Sequence, residues 1–425
     1  MTSVAESVAA ARQHIVLVQD GHLRDMLSII VGRNQFYSAR LRAAGLDSTS
    51  DRADFLACCP FTTKAEIVAD QQAHPPFGTN LTWPMARYVR FSQTSGTNGA
   101  PLRWMDTLEN WTWMLDSWDH FFNAYQITSA DRIFAAFSFG PFLGFWTAYE
   151  AAVRRGCLSI PGGGLGTRSR LEVMRDTGST VLLATPTYVI RMGEAARDAG
   201  IAVSTLRYII VGGEPGGSIP ATRDRIKELW PSSQLIDHHG MTEIGPVSWQ
   251  NPHDPRYLHI YEDAYIVEII DPSTGAAANP GTTGELVLTN LGRTGSPLLR
   301  YRTGDLVRAT TTPLNEPYIA LDGGILGRVD DMAIVRGVNV WPAAIEAIVR
   351  RFPEVAEYRC LLSTDRGMTE LRLVVELIPG VMAESMPNRI RDALATALAL
   401  RIPVDITAAG TLPRPEMKSQ RWLRV

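Results

Sequence analysis

The chain has 425 residues, of which 45% are hydrophobic and 20% are charged. A chain of this length is expected to form two or three domains, and this composition excludes a disordered chain, a collagen-like repeat and a disulfide scaffold. With 41 basic and 44 acidic residues the net charge is −3 at pH 7, so neither nucleic acid nor an anionic membrane is indicated as a partner.

Cysteine usage and the N-terminal segment indicate a cytoplasmic protein. The four cysteines include no C-x-x-C pair, so they give neither a disulfide framework nor a zinc or redox motif. The N-terminal residues lack the basic and then apolar order of a signal peptide. The longest uncharged stretch, residues 133–149, is marginally short for a membrane span, so we expect it to lie within the protein and expect no membrane partner.

Lysine is rare in this chain. It accounts for three of the 41 basic residues, namely Lys64, Lys227 and Lys418. Because arginine supplies the others, a position that keeps lysine is a candidate for a site that needs a compact ammonium group. The alternative at each position is an ordinary solvated side chain, which is what most single lysines are.

In chain order, the predicted elements begin with mainly helical residues up to about 75, followed by a strand that leads into the loop 92–99. We expect the aromatic stretch 133–149 to be buried within the protein, with its helix broken at Gly140, Pro141 and Gly144. From about residue 181, apolar strands alternate with helices, which is typical of a parallel sheet with crossover helices. Segments 264–271 and 284–290 are predicted to be antiparallel strands, because the residues between them have turn chemistry.

After about residue 330 the sequence fits a small α+β unit. We expect a helix in PAAIEAIVRRF, two strands flanking the turn TDRG, a helix from Glu384 to Leu400 and a final strand in VDITAAG. The predicted fold class is therefore α/β, with a large N-terminal domain of parallel and mixed sheets with helices, residues 1–329, and a small mobile α+β domain, residues 330–425.

Three segments in the first 243 residues carry candidate chemistry, and each has an ordinary structural alternative. The Ser/Thr/Gly loop 92–99 lets backbone N–H groups approach an anion, although such a run is more often a plain loop. GGEP (212–215) follows an apolar strand, where α/β sheets bind ligands, or is a tight turn. In HHGMTE (238–243), Glu243 is a candidate for Mg²⁺ and His239 for stacking on a base. Alternatively, the Glu243 carboxylate complements a helix N-terminus.

Three more segments lie further along the chain. In YRTGD (301–305), Asp305 is suited to accept two ribose hydroxyl hydrogen bonds, or forms a turn. GRVDD (327–331) lies at the expected domain boundary. PRPEMKSQRW (413–422) contains Lys418, for which a solvated tail is the alternative.

Together, the order and spacing of these segments resemble the adenylate-forming superfamily, and within it the phenylacetate-CoA ligase branch. The resemblance covers nearly the whole chain and includes FTTKAEI, TSGTNG, GGEP, HGMTEIGP, LLRYRTGDLV, GRVDDMAIVRGVNVWPAAIE and LPRPEMKSQR. It implies a reaction in two steps. A carboxylic acid attacks ATP to give an acyl-adenylate and pyrophosphate, and a thiol, usually that of coenzyme A, then displaces AMP.

The resemblance also implies roles for individual residues. Thr242 is expected at the α-phosphate, Glu243 on Mg²⁺, and Lys418 between the carboxylate and the α-phosphate, where it and Mg²⁺ offset the repulsion between two anions. Asp330 is the expected hinge about which the small domain turns between the two steps. The expected nucleotide contacts are Thr94, Ser95, Gly96, Thr97 and Gly99 for the phosphates, Gly213, Glu214, Pro215, His239, Gly240 and Met241 around adenine, and Asp305 and Arg328 at the ribose.

The sequence departs from the family pattern in three places. Asn98 and Ala100 replace the commoner Thr and Lys of the phosphate loop, and His239 stands where relatives usually have Tyr. Some relatives carry a structural zinc held by a His and several Cys near segment 248–263, which has no Cys here. We therefore expect no structural zinc, and we expect His253 and His259 to be surface or packing residues.

The stretch 133–149 bears on the acid, because in the family this region helps to line the acyl pocket. Core packing accounts for most of its aromatic side chains, but a flat aromatic-lined slot favours an aryl or arylacetic acid. The residues expected to face the acid are Phe139, Gly140, Pro141, Phe142, Gly212 and Gly245.

The acceptor is expected to be coenzyme A. A carrier-protein thiol or an amine, as in adenylating enzymes of secondary metabolism, stays open, and so does a homodimer. A degenerate nucleotide-binding protein is disfavoured, because Glu243, Asp305, Asp330 and Lys418 are all present.

Overall fold

The computed structural model describes residues 4–94, 101–310, 316–329, 333–336, 338–365, 368–381, 384–413 and 421–425. The chain divides into two compact units. The first comprises Met1–Ala135, Phe139–Pro161 and His238–Gly324, and the second comprises Ala136–Ser138, Gly162–Asp237 and Ile325–Val425. The predicted hinge, Asp330, lies outside the described residues, so the division at residue 330 stays a prediction.

Helices are most frequent in the N-terminal part of the chain, as predicted. Those in the described residues are α1 (Val4–Ile30), α2 (Gln35–Ala43), α3 (Arg52–Cys58), α4 (Lys64–Ala73), α5 (Leu108–Ala124), α6 (Trp146–Arg154), α7 (Thr167–Asp176), α8 (Pro186–Ala199), α9 (Pro220–Leu229), α10 (Pro342–Val349) and α11 (Met386–Leu398). Among all the described residues, no helix combines the length and apolar character needed to cross a bilayer.

The strands are mostly short. They are β1 (Tyr88–Gln93), β2 (Arg103–Thr107), β3 (Arg132–Ala135), β4 (Leu158–Pro161), β5 (Val181–Ala184), β6 (Tyr208–Val211), β7 (Gln234–Asp237), β8 (Gly240–Met241), β9 (Gly245–Pro246), β10 (Ser248–Gln250), β11 (Tyr257–Ile260), β12 (Tyr265–Ile270), β13 (Gly284–Asn290), β14 (Tyr301–Val307), β15 (Ala320–Asp322), β16 (Gly327–Arg328), β17 (Ala333–Val335), β18 (Val338–Val340), β19 (Val355–Asp365), β20 (Met368–Leu377), β21 (Val404–Thr407) and β22 (Trp422–Arg424).

The first unit is built around antiparallel pairing. β12, β13 and β14 form a continuous antiparallel array, as predicted for β12 and β13, and β1 pairs with β2 in the same sense. β3 and β4 are parallel. α4 begins at Lys64 because Thr63 and Glu66 form a capping box, in which each side chain accepts a hydrogen bond from the other residue's N–H.

The second unit contains the parallel strands that the alternating pattern predicts. β5, β6 and β7 pair in parallel, and α8 and α9 connect them. Thr185 caps α8, Pro186 fills its first position and Gly200 ends it in the left-handed conformation, so the sequence itself defines both ends of this helix. The α/β class is confirmed.

The C-terminal part of the second unit has an apolar core of its own. Ile345, Val349, Leu373, Val375 and Ile390 are fully or almost fully buried in it. β19 and β20 form a long antiparallel hairpin across the predicted turn TDRG, with β21 parallel to β20. β22, which the sequence did not predict, pairs in parallel with β19.

The aromatic stretch 133–149 differs from its prediction. Its first residues form the strand β3, residues 136–145 form a loop, and the helix α6 starts only at Trp146. The expected helix broken at Gly140 and Pro141 is therefore wrong, because the apolar run enters a parallel strand before it reaches those two residues. Phe134 is fully buried in this strand, whereas Pro141 in the loop is exposed.

Candidate functional site

The segment GMTEIGP folds as a tight hairpin in the first unit. Gly240 pairs with Pro246 and Met241 pairs with Gly245, so Thr242 and Glu243 lie at its tip. Gly245 has a φ of +104°, which favours glycine, and a Cβ there would lie 3.1 Å from the Met114 sulfur. The sequence therefore bends sharply here, and Gly245 packs closely against α5.

Two buried side chains hold this hairpin by its main-chain carbonyls. Arg293 Nη1 donates to the carbonyl oxygens of Thr242 at 2.8 Å and Glu243 at 2.9 Å. The Tyr265 hydroxyl donates to the carbonyl of residue 246 at 2.6 Å, and its oxygen lies 3.2 Å from the carbonyl oxygen of Ile244. The hairpin is thus held at the carbonyls of residues 242, 243 and 246 without using the side chains at its tip.

Arg293 is itself held by Asp106 of β2. Its Nε and Nη2 donate to the two carboxylate oxygens at 2.6 and 2.7 Å, and both side chains have no exposed surface. Such a bidentate pair fixes the orientation of the guanidinium. Neither residue has a local signal in the sequence, because the two are far apart in the chain and lie in no motif.

Glu243 faces one ammonium group. Lys64 Nζ lies 3.5 Å from Glu243 Oε1, and the Glu243 side chain is 9% exposed while that of Lys64 is 49% exposed. Mg²⁺ prefers oxygen ligands and is commonly held by one or two carboxylates together with phosphate oxygens and water. A single buried carboxylate at the tip of a fixed hairpin fits that requirement, so Glu243 is suited to hold Mg²⁺ beside a nucleotide.

The structure brings together two more of the predicted nucleotide residues. His239 Nε2 lies 3.0 Å from Asp305 Oδ2, within hydrogen-bond distance, and Asp305 is buried on β14. The Asp305 N–H donates to Thr303 Oγ1 at 3.0 Å, which fixes the main chain at this position. His239 is therefore a direct neighbour of the carboxylate that is expected to bind the ribose.

His238, beside it in sequence, points into the core. Its Nδ1 donates to the carbonyl oxygen of Ser248 at 2.8 Å, and its ring lies against Trp118 with 4.4 Å between centroids. Burial lowers the pKa of His238 to about 3, so its imidazole is neutral at pH 7. Of the two adjacent histidines, His239 is the one whose side chain lies beside Asp305.

The loop expected to face the acid lies beside β1. The Gln93 N–H donates to the carbonyl oxygen of Pro141 at 2.6 Å. Thr94 follows directly and exchanges hydrogen bonds with the backbone of Leu102. Phe142 is half-buried in this loop. Of the predicted phosphate loop only Thr94 is described, since Ser95, Gly96, Thr97 and Gly99 lie outside the described residues.

Phe139, in the same loop, is the centre of an aromatic group that it forms with two side chains of α6. Its ring meets Trp146 and Tyr149 edge to face, with centroid distances of 4.7 and 5.2 Å. The Trp146 indole N–H donates to the carbonyl oxygen of Gly140 at 3.0 Å. Phe139 has a φ of +54°, which is unusual for a residue with a side chain.

In the second unit, GGEP follows β6 as predicted. Gly213 has a φ of +87°, and Glu214 Oε1 accepts a hydrogen bond from the Thr187 N–H in the first turn of α8 at 2.9 Å. Gly212 is buried and Pro215 is exposed, while Arg328 is half-buried in β16. The main chain of the predicted adenine segment is therefore shaped by a glycine and fastened to a helix N-terminus.

Lys418 and Asp330 lie outside the described residues. Arg421, three positions after Lys418, is described: it donates to Glu357 at 2.7 Å and to Glu346 at 3.2 Å. Burial alone would raise the pKa of Glu346, but Arg350 and Arg421 lower it to about 2. The chain is thus anchored at Arg421 by a buried ion cluster that sequence analysis did not identify.

The histidines of segment 248–263 are packing residues or line a small cavity. His259 is buried on β11, its Nε2 is 2.9 Å from Asn251 Nδ2, and burial lowers its pKa to about 4. His253 and His259 both line a cavity of about 250 Å³ next to Trp249. Among the residues that the structure describes, no three His, Cys, Asp or Glu side chains are grouped as metal ligands. The absence of structural zinc stays a prediction.

Comparison with known proteins gives matches over most of the chain. A family model described as AMP-binding enzyme matches residues 87–292, and one described as AMP-binding enzyme C-terminal domain matches residues 337–423. A phenylacetate-coenzyme A ligase of Thermus thermophilus is 30% identical over 86% of this chain and 82% of its own length. One of Pseudomonas putida is 30% identical over 97% of this chain and 94% of its own. A solved structure of 2-hydroxyisobutyryl-CoA ligase in the postadenylation state has a TM-score of 0.88 and 25% identity, covering 96% of this chain and 89% of that one.

Proposed function

The chain belongs to the AMP-binding enzyme family and is an AMP-forming acid–coenzyme A ligase, and on that premise we propose that its acid is aromatic, an aryl or arylacetic acid, and that the reaction uses Mg²⁺. Phenylacetate-coenzyme A ligases are among its relatives, which supports an arylacetic acid. The 2-hydroxyisobutyryl-CoA ligase with a similar fold supports a small aliphatic hydroxy acid as the competing substrate.

The observation that carries this proposal is the aromatic group around Phe139. Phe139 lies in the loop whose Pro141 carbonyl accepts a hydrogen bond from β1 directly before Thr94, and its ring meets two rings of α6, Trp146 and Tyr149, edge to face. Edge-to-face packing extends naturally to a further ring, and such a pair contributes about 0.5–1.5 kcal/mol beyond its buried area. A non-glycine residue in the left-handed region is also typical of functional loops, where surrounding contacts hold the conformation.

The chain's own residues then act by position and charge. In the first unit, Glu243 would hold Mg²⁺, which would supply positive charge to offset that of the phosphates. Thr242 lies at the α-phosphate, and Asp305 accepts hydrogen bonds from the ribose hydroxyls with His239 at its other side. None of these residues forms a covalent bond to the substrate, so their contribution is alignment and stabilisation of charge.

In the second unit, Gly213, Glu214 and Pro215 line adenine and Arg328 contacts the ribose. Lys418 bridges the attacking carboxylate and the α-phosphate. Its ammonium offsets the repulsion between two anions, which is the main barrier that positioning alone does not remove.

A substrate panel tests the proposal. Pyrophosphate release is measured with Mg²⁺ and aryl, arylacetic and small hydroxy acids, with and without coenzyme A. We expect the highest kcat/KM for an aromatic acid and turnover only with coenzyme A. A preference for small hydroxy acids would refute the aromatic assignment. Turnover with an amine or a carrier protein instead of coenzyme A would support an enzyme of secondary metabolism, and no release with any acid would support a degenerate binding protein.

A pair of matched substitutions locates the acid. Phe139→Leu removes the central ring of the aromatic group. We expect the KM for the aromatic acid to rise about fivefold, which corresponds to the loss of one aromatic pair between this ring and the ring of the acid. Phe352→Leu makes the same change at a half-buried ring of the C-terminal core and should leave KM unchanged. Equal effects of the two substitutions would contradict a role of Phe139 in binding the acid.

A further inference from the structure

Lys64 occupies a position where a positive side chain is unfavourable. It is the first residue of α4, and a helix N-terminus carries partial positive charge that favours acidic side chains. The ion pair with Glu243 is 3.5 Å long and half-exposed on the lysine side, so it contributes little to stability. Lys64 is also one of three lysines in a chain that otherwise uses arginine. Helix stability and packing therefore do not account for a lysine here.

The main chain around Lys64 is nevertheless held firmly. The Thr62 N–H donates to the carbonyl of Arg300 at 3.0 Å, and the Arg302 N–H donates to the carbonyl of Thr62 at 2.9 Å. The Thr62 hydroxyl donates to the carbonyl of Leu299 at 2.8 Å. These bonds fasten the residue two positions before Lys64 to the beginning of β14, the strand that carries Asp305. The main chain next to Lys64 is thus fixed, while its long, half-exposed side chain ends beside Glu243.

We propose that Lys64 is a phosphate-binding residue of the nucleotide site. Its ammonium neutralises Glu243 when that carboxylate has no other cation, and it binds phosphate oxygens of ATP when Glu243 holds Mg²⁺. The inference rests on the proposed function, because it takes Glu243 as the Mg²⁺ ligand.

The exchange follows from charge. An ammonium and a divalent cation repel each other when both face one carboxylate, so binding of one favours departure of the other. The Lys64 side chain is half-exposed, and when Mg²⁺ takes its place at Glu243 it can turn away without leaving that carboxylate without a cation. The nucleotide that arrives with Mg²⁺ brings several negative oxygens to the same place, and a compact ammonium binds phosphate as a point charge.

Direct titrations of nucleotide test this role without relying on turnover. The dissociation constants of Mg·ATP and of adenosine are measured by calorimetry for the wild-type protein, Lys64→Gln and Lys227→Gln. Lys227 is an exposed lysine in the last turn of α9 and has no assigned role, so it is the matched control.

We expect Lys64→Gln to raise the Kd of Mg·ATP about tenfold, the loss of one partly exposed charge-assisted hydrogen bond, and to leave the Kd of adenosine unchanged. Lys227→Gln should change neither. An unchanged Kd for Mg·ATP would overturn the proposal, and an equal loss for ATP and adenosine would show that Lys64 only supports the local structure. If the wild-type protein itself bound no Mg·ATP, the proposed function would fail rather than this inference.

The rarity of lysine provides a second readout. An amine-reactive acetylating reagent has three lysines to modify in this chain, and mass spectrometry follows each separately. We expect Mg·ATP to slow the labelling of Lys64 several-fold, adenosine to leave it unchanged, and Lys227 to be labelled at one rate throughout. Labelling of Lys64 that does not respond to Mg·ATP would overturn the proposal, because a residue bound to phosphate cannot remain equally reactive.

Discussion

Replacing Arg293 by methionine removes one partner of a fully buried ion pair and leaves the Asp106 carboxylate without its cation. The two side chains have no exposed surface and are joined by hydrogen bonds of 2.6 and 2.7 Å. Breaking a buried pair in this way costs about 3–5 kcal/mol, because the remaining charge stays buried. For a unit of this size each kcal/mol lowers Tm by about 2–4 °C, so we expect the unfolding transition to fall by roughly 10 °C.

A second substitution separates stability from nucleotide binding. Asp106→Leu in the Arg293→Met background removes the orphaned carboxylate, and we expect the double variant to regain more than half of the lost Tm. The double variant still lacks the two hydrogen bonds from Arg293 to the carbonyls of Thr242 and Glu243. Its Kd for Mg·ATP should therefore stay at least about tenfold above the wild-type value, since each such bond to a charged donor contributes about 1.5–3 kcal/mol.

Differential scanning calorimetry and nucleotide titration of the wild type, Arg293→Met, Asp106→Leu and the double variant complete the cycle. If the double variant unfolds at the same temperature as Arg293→Met, the unpaired charge is not the source of the loss. If ATP binding returns together with Tm, the hairpin does not depend on Arg293 for its conformation. Either result would refute the reasoning.

Three further predictions follow from other parts of the chain. Lys418→Arg and Lys418→Ala should both lower acid-dependent ATP/pyrophosphate exchange by on the order of a hundredfold to a thousandfold; the arginine variant fails despite its charge because a guanidinium is broader than an ammonium. Both variants should spare thioester formation from supplied acyl-adenylate. Near-normal exchange in either variant would contradict the role of Lys418. Asp330→Pro restricts the backbone and should reduce thioester formation while leaving adenylation largely intact, whereas equal losses in both steps would count against a hinge. Burial lowers the pKa of His238 to about 3 and that of His259 to about 4 from 6.5, so the folded protein binds fewer protons than the unfolded chain below pH 6.5. Stability should consequently fall as the pH drops from 6.5 towards 4, by up to about 1.4 kcal/mol per pH unit for each histidine, and His238→Gln should flatten the profile of Tm against pH in that interval; an unchanged slope would mean that His238 is not buried and neutral.

Elements with local signals were predictable from the sequence. The structure confirms the parallel strands β5 to β7, the capped helix α8 and the hairpin of β12 and β13. These elements were predictable because their capping residues, turn residues and apolar periodicity all lie within the segments themselves. For GGEP a tight turn was one of two interpretations of the sequence, and the hairpin formed by GMTEIGP was not predicted.

Elements that depend on distant partners were not predictable. The apolar run 133–149 is compatible with helix or strand, and pairing with β4 selects a strand for its first residues. β22 is three residues long and exists because β19 offers an edge. Arg293 and Asp106 are 187 positions apart, so no local pattern connects them. Lysine rarity marked Lys64 as unusual, but only the folded chain shows that its partner is Glu243.

The way in which the GMTEIGP hairpin is held has an evolutionary consequence. Its anchors are carbonyl oxygens, which every amino acid carries, and the donors to them come from Arg293 and Tyr265 elsewhere in the first unit. Substitution of Thr242 or Glu243 therefore changes what the tip can bind without removing what gives the tip its geometry. A descendant of this protein can inherit the loop intact while its chemistry diverges, and loss of catalysis by mutation at the tip need not be accompanied by loss of the fold.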